Sequence, residues 1–280
     1  MLLKKSIYSY KRGVRLKEDR LHNKVIVITG GSSGIGVQLA KDVAKLGARP
    51  VLIARSKDKL EEAKRVIFEQ YGVEASVYSV DVSNIEAVEA TFQEIIDTFG
   101  HVDVLVNNAG YAVFDTFIDA SVEDVKGMFD VNVFGLVACT KAVLPSMLRE
   151  NRGHIINIAS QAGKLATPKS SIYSATKHAV LAITNSLRME LSETNIFITA
   201  VNPGPIKTPF FERADVTGNY TKNVAKFMLE PEFVSGKIIE LMERPKRELN
   251  LPLWMGLGTK FYQLFPGLVE RIAGKRLNQK

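Results

Sequence analysis

The sequence predicts an α/β fold: a doubly wound parallel sheet of about seven strands between two layers of helices. Three observations predict it. From Lys24 onward, short apolar runs alternate with amphipathic helices through six strand–helix repeats. The runs are rich in β-branched residues and have no polar alternate face, as in a sheet covered on both sides. The first run, Val25–Ile28, passes through the turn Thr29–Gly36 straight into a helix with Ile35, Leu39, Val43 and Leu46 on one face.

Residues 1–23 are expected to form a basic, partly mobile arm, with eight Lys/Arg against two Asp/Glu over 1–24 and no apolar core of a secretory signal. Residues 24–251 read as one domain. After the first unit come strand Val51–Ala54 and a charged helix, Asp58 to about Tyr71, ended by Gly72. Strand Ala75–Val80 precedes a helix over Asn84–Phe99, capped by Ser83 and stopped by Gly100. Strand Val102–Val106 leads to Asn107–Gly110. A long helical stretch follows from about Ser121 through Leu148. Strand His154–Ile158, a polar loop, a helix from about Ile172 to Thr194 and strand Ile196–Val201 complete the alternation. Pro205–Leu229 reads as loop with some helix, Glu230–Glu243 as helix and Lys246–Leu251 as a last strand. The extension 252–280 is apolar, aromatic and basic. Pro266 breaks any long helix in it, and no run there is long and charge-free enough to span a bilayer.

The chain of 280 residues is 46% hydrophobic and 24% charged, ordinary for a globular protein with a sizeable core. Its net charge of +7 belongs to the two tails, since 251–280 carries five Lys/Arg against one acid. The middle is slightly acidic, which argues against a nucleic-acid groove. The lone Cys139 excludes an internal disulfide and suits a reducing, cytoplasmic compartment. His22, His101, His154 and His178 are scattered, so no metal site is expected.

Ligands of such sheets bind beyond the carboxyl ends of the strands. The first of these ends carries Gly30, Gly34 and Gly36. They permit a tight turn and close approach of a pyrophosphate to the helix N-terminus, although a turn of this kind can also bind nothing. The second strand ends in Ala54-Arg55, with no acid to hold a ribose 2′-hydroxyl. Arg55 can pair with a 2′-phosphate, which favours NADP(H), unless it is merely a solvated loop arginine. Tyr173 and Lys177 lie four apart on one helical face, with Ser160 thirteen residues before Tyr173. A lysine cation near a phenol lowers its pKa from about 10, making Tyr173 usable as a general acid or base.

These residues resemble the short-chain dehydrogenase/reductase family. The matches are Thr29-Gly30-x3-Gly34-Ile35-Gly36, Asp81, Asn107-Asn108-Ala109-Gly110, Asn132, Ser160, Tyr173-x3-Lys177 and Pro203-Gly204-x3-Thr208. They span about residues 24–210 in order. The resemblance implies a Rossmann-type sheet and a set of roles. Tyr173 would be the general acid in carbonyl reduction. Lys177 would hold the nicotinamide ribose, Ser160 would polarise the substrate oxygen, and Asn132 would hold a water in the proton relay. The glycine loop, with Ser32, Ser33 and Ile35, would meet the cofactor phosphates. Asp81 and Val82 would flank the adenine, and Asn108, Ala109 and Gly110 the ribose side. Pro203, Gly204, Ile206 and Thr208 would lie at the carboxamide. Many NADP-binding relatives carry a basic residue within the loop where this chain has Ser32-Ser33, so NADP(H) rests on Arg55.

The substrate regions are 111–120, 161–171 and 205–229. Tyr111, Val113, Phe114, Phe117, Leu165, Phe210 and Phe211 make them apolar, and a lipophilic ketone or aldehyde is expected. Lys164, Lys169, Lys207 and Arg213 could instead bind an anionic carrier, or be plain surface cations. The rival readings are a 3-oxoacyl-carrier-protein reductase and a non-catalytic NADP-binding sensor or scaffold. A homodimer or homotetramer is expected. The extension 252–280 covers the pocket, covers a subunit interface or makes peripheral contact with a membrane.

Overall fold

The computed structural model describes residues 21–277. Most of the expected basic arm lies outside the described residues. Leu21 does not: it is buried, and its carbonyl accepts from Lys24 N, so the packed structure is already present three residues before Lys24.

Seven parallel strands form one sheet: β1 (Val25–Thr29), β2 (Arg49–Ala54), β3 (Ser76–Ser79), β4 (Val104–Asn107), β5 (Gly153–Ile158), β6 (Ile196–Pro203) and β7 (Glu248–Leu251). Their spatial order is β3-β2-β1-β4-β5-β6-β7. The chain leaves β1 in one direction for β2 and β3, then returns to lay β4 on its other side, with Ile26 opposite Val104. That reversal opens a crevice between the carboxyl ends of β1 and β4.

Period-two alternation sorts the β1 side chains between the two helix layers. Ile26 and Ile28 pack with Leu39 and Val43 of α1 (Gly34–Lys45), Leu60 and Ile67 of α2 (Lys57–Tyr71) and Val234 and Ile238 of a helix near the C-terminus. Val25 and Val27 pack on the other layer with Phe92 and Ile95 of α3 (Ile85–Phe99) and with a long helix formed after β4. Each such side chain, fully buried, contributes about 1.5–3 kcal/mol.

Asn84, not Ser83, caps α3, its side chain accepting from Ala87 N at 2.9 Å. The Ser83 hydroxyl is already committed to Asp81 Oδ1 at 2.7 Å. The long stretch after β4 consists of α4 (Val122–Phe129), a π-helical turn Asp130–Gly135 and α5 (Leu136–Glu150). By length and composition Val122–Glu150 could cross a membrane, but more than half of its apolar window is buried inside the fold.

The remaining helices follow. α6 (Ser171–Glu190) precedes β6, and the expected loop Pro205–Leu229 contains the short helices α7 (Phe210–Ala214) and α8 (Asn219–Val224). Then come α9 (Pro231–Glu243), β7, α10 (Leu253–Leu264) and α11 (Pro266–Leu277). The break at Phe265–Pro266 falls where the proline requires it.

Candidate active site

The end of β1 is fastened to the end of β4 by one threonine. Thr29 Oγ1 accepts from both Asn108 N and Ala109 N at 3.0 Å, while Asn108 Nδ2 donates to Thr29 O at 2.9 Å. Gly30 (φ +65°) and Gly34 (φ +54°) take the left-handed conformations the turn needs. A Cβ on Gly36 would collide with the Gly30 carbonyl, so helix α1 can only start this close to the strand without one. Ser33, the residue before α1, makes no side-chain capping bond. The first N–H groups of α1 therefore keep their donors for a ligand, whereas Ser56 caps α2 and Asn84 caps α3.

A cavity of about 790 Å³ runs from this loop along the sheet edge. Gly30, Ser33, Gly34, Ile35, Asn108, Ala109 and Gly110 line one end. Ser160, Tyr173, Lys177, Pro203, Gly204, Ile206 and Thr208 line the middle. Among the described residues no acidic side chain lines it, and the uncapped donors and glycine cradle fit a dinucleotide diphosphate. Six sequence-predicted residues stand off its wall. Ser32 lines a small groove with Lys41 and Asp58. Gly36 and Val82 are buried, Val82 against Gly135. Arg55 and Asp81 lie beyond β2 and β3, their charged groups 3.8 Å apart. Asn132 is buried beneath the cavity in the π-helical turn.

Asn132 is nearly saturated. Its Nδ2 donates to Tyr111 O at 2.9 Å and Thr176 Oγ1 at 3.1 Å, and its Oδ1 accepts from Tyr111 N at 3.0 Å. It thus ties the loop after β4 to α6, the helix that carries Tyr173 and Lys177. Both amide hydrogens are spent, so the side chain could hold a water only as an acceptor.

Ser160 and Tyr173 share the cavity wall, and Ser160 Oγ accepts from Ala162 N at 3.1 Å. Lys177 Nζ donates to Ile158 O at 2.8 Å and lies 5.8 Å from the centre of the Tyr173 ring. The expected lowering of the phenol pKa by lysine is not what this geometry produces. Burial pushes the Tyr173 pKa well up, and Ser160, not Lys177, opposes the rise. Burial also pulls the Lys177 pKa down to about 8, because its ammonium sits in the same dry pocket.

The apolar end of the cavity is aromatic. Phe114 meets the Tyr173 ring edge-on at 6.1 Å, and Phe210 and Phe211 cross at 5.3 Å. Phe117 is 76% exposed and takes no part. Tyr111 lies under the Arg213 guanidinium at 3.6 Å instead of facing the cavity. Tyr220 and Thr167 line it without having been singled out in the sequence. Tyr220 comes from α8, a helix too short for its periodicity to mark an inward side chain. Trp254, Met255 and Tyr262 of α10 close the far side, so the start of the extension belongs to the cavity wall. Among the described residues, no three His, Cys, Asp or Glu side chains converge as a metal site would require.

Residues 24–217 match the family model described as short chain dehydrogenase. The chain belongs to the short-chain dehydrogenase family. A similar curated relative is an uncharacterized oxidoreductase of Staphylococcus epidermidis, 39% identical over 196 residues, which are 70% of this chain and 84% of that one. An alcohol dehydrogenase from Thermococcus sibiricus, solved with 5-hydroxy-NADP, is 31% identical with a TM-score of 0.73, covering 82% of this chain and 96% of that one. A short chain dehydrogenase/reductase from Burkholderia phymatum, solved with NAD, reaches a TM-score of 0.81 at 26% identity over 89% and 96% of the two chains. This short-chain dehydrogenase is accordingly an oxidoreductase with a Rossmann-type sheet.

Proposed function

We propose that this short-chain dehydrogenase interconverts a carbonyl and a secondary alcohol on a lipophilic substrate, using NADP(H). The carrying observation is that Ser160, Tyr173 and Lys177 line one cavity together with the glycine loop. Bound NADPH supplies the hydride. Ser160 donates to the substrate oxygen and holds it for Tyr173, which passes its phenolic proton to that oxygen as negative charge develops there. The high pKa of the buried phenol keeps that proton in place until then. Lys177 would hold the nicotinamide ribose and, as a cation, stabilise the phenolate that Tyr173 becomes on giving up its proton. Asn132 keeps Tyr111 and α6 in register and offers Oδ1 to a relay water. Arg55 meets the 2′-phosphate, Asp81 and Val82 meet the adenine, and Ser32, Ser33 and Ile35 complete the phosphate loop.

The aromatic wall favours a lipophilic substrate over an anionic carrier. Lys164 is paired with Glu248 at 2.7 Å, Lys207 with Glu230 at 3.5 Å, and Arg213 covers Tyr111. A homodimer or homotetramer belongs to the same reading, since Phe134, Met189 and Phe197 are more than half exposed on the single chain.

The test is NADPH consumption over lipophilic ketones, steroids, long-chain 3-ketones and acyl thioesters, with wild type and Tyr173→Phe. The expected result is turnover of an apolar ketone by wild type, abolished in the variant while NADPH still binds. Retained turnover in Tyr173→Phe sinks the mechanism, and preference for the thioesters restores the carrier-protein reading. NADPH binding without any turnover by wild type favours the sensor.

A further inference from the structure

Helix α10 inverts the usual amphipathic arrangement. The residues it packs inward are small. A Cβ on Gly256 would lie 2.7 Å from that of Asn250, and Thr259 is 3% exposed. Its large apolar residues point out. Leu253, Trp254, Leu257, Phe261 and Leu264 fall within about a third of the helix circumference and are 49–74% exposed. Phe265, Leu268 and Ile272 continue the surface onto α11, and Phe227 joins from the neighbouring turn, edge-on to Trp254 at 6.2 Å. Scattered apolar residues are normal on any protein, but a contiguous set of this size marks a binding face.

The rim of the face is basic. Lys260 borders the face on α10, Lys226 precedes Phe227 and Arg271 precedes Ile272 on α11, and all three are exposed. The one acid in 251–280, Glu270, is engaged by the Tyr262 hydroxyl at 2.9 Å. The other side of the same helix lines the cavity through Met255, Gly258 and Tyr262, and Trp254 and Phe227, at the border of the face, reach the cavity as well. The face is therefore the outer surface of the cavity wall.

We propose that α10 and α11 dock this face into the interface of an anionic lipid bilayer, so that the cavity takes its substrate from the lipid side. A second copy of the chain fits less well, because a twofold contact would press the basic rim against itself. Aromatic and leucine side chains above lysine and arginine match the boundary between acyl chains and anionic head groups. Delivery of substrate rests on the reading of the cavity given above, whereas the docking does not.

The experiment is sedimentation of the full chain with vesicles of phosphatidylcholine alone and of phosphatidylcholine mixed with phosphatidylglycerol. It compares wild type with the double variant Leu257→Glu/Leu264→Glu. These side chains line no part of the cavity and are 70% and 73% exposed, so fold and NADPH binding are expected to survive, as thermal melting and fluorescence titration check. Wild type is expected on the mixed vesicles, released by about 0.5 M salt. The double variant is expected to partition about a hundredfold more weakly. Failure of wild type to sediment with the mixed vesicles, or equal partitioning of the variant, overturns the docking. So does a wild-type oligomer in lipid-free light scattering that the variant dissociates, because the face is then covered by a second copy. NADPH consumption over the panel of lipophilic ketones, steroids, long-chain 3-ketones and acyl thioesters is measured in the same samples. Its absence overturns the enzyme reading while leaving the vesicle result standing.

Discussion

Lys177 Nζ donates to the Ile158 carbonyl oxygen at 2.8 Å, deep enough that the residue is only 6% exposed. The site thus holds an ammonium in a dry pocket against one neutral acceptor. Burial lowers its pKa from the usual 10.5 to about 8. Between those values the unfolded chain binds the extra proton, so stability rises with pH through that window. Below pH 8 the fold carries the full cost of the buried charge. Lys177→Met should therefore melt higher than wild type at pH 7. The gain is expected to be about 1–2 kcal/mol once the lost bond to Ile158 is counted. It should fade toward pH 10 while turnover is lost at every pH. Thermal melts across that range check it, and a variant less stable at pH 7 would show that the ammonium is not a burden.

Two glycines separate packing from backbone freedom. Gly36→Ala drives a methyl group into the Gly30 carbonyl and to 2.8 Å from Asn108 Nδ2. Neither can yield without moving the phosphate loop. The expected cost is about 1–3 kcal/mol, with NADPH affinity falling at least tenfold. Gly72→Ala meets nothing within 4 Å, but its φ is +67°. It should cost about 1 kcal/mol and leave NADPH affinity unchanged. Urea denaturation and fluorescence titration of the two variants make the comparison.

Arg55 and Asp81 face each other at 3.8 Å, with both side chains substantially exposed. Asp81 uses its other oxygen to accept from Ser83 N and Oγ. Arg55 is thus loosely held and free to swing onto a 2′-phosphate. Arg55→Ala should raise the KM for NADPH by about 10–100-fold and leave that for NADH within about twofold, since NADH offers no phosphate to lose. Initial rates with the two cofactors decide it. Equal losses would move the basis of selectivity to another residue.

The sheet was legible because its five central strands are almost wholly buried, so they read as apolar runs, whereas the edge strands β3 and β7 are mostly half-buried, and because glycines mark the helix ends at Gly72 and Gly100. The candidate site was legible where motif residues sit at strand ends, as Gly30, Asn108 and Ser160 do, and in the first turn of α6, as Tyr173 does. Tertiary burial was not. A sequence shows Lys177 four residues from Tyr173 and suggests a depressed phenol, yet burial raises it, with Phe114 and Phe210 from other elements packed on the ring. Capping of α3 was misplaced by one residue because Ser83 found a closer partner in Asp81. The outward face of α10 was legible as apolar composition but not as orientation, which only the small inward residues Gly256 and Thr259 fix.

His154 should set part of the acid limit of the fold. It is 4% exposed in β5, and its Nε2 lies 2.8 Å from Thr199 Oγ1. Thr199 spends its own hydrogen on Lys246 O at 2.7 Å, so Nε2 must be the donor in the first contact. Nδ1 is then the bare acceptor, and it has no hydrogen-bond partner among the described residues. A second proton would have to enter there, buried and unsolvated, which is why burial pulls the pKa from 6.5 to about 4. As pH falls through that interval the unfolded chain takes up the proton first, and stability is lost by up to about 3 kcal/mol. His154→Gln keeps an amide donor toward Thr199 but does not titrate. It should start less stable at pH 7 and lose less between pH 6.5 and 4 than wild type does. Chemical denaturation over that range gives the difference of slopes directly, and parallel slopes would exclude His154 as the titrating group.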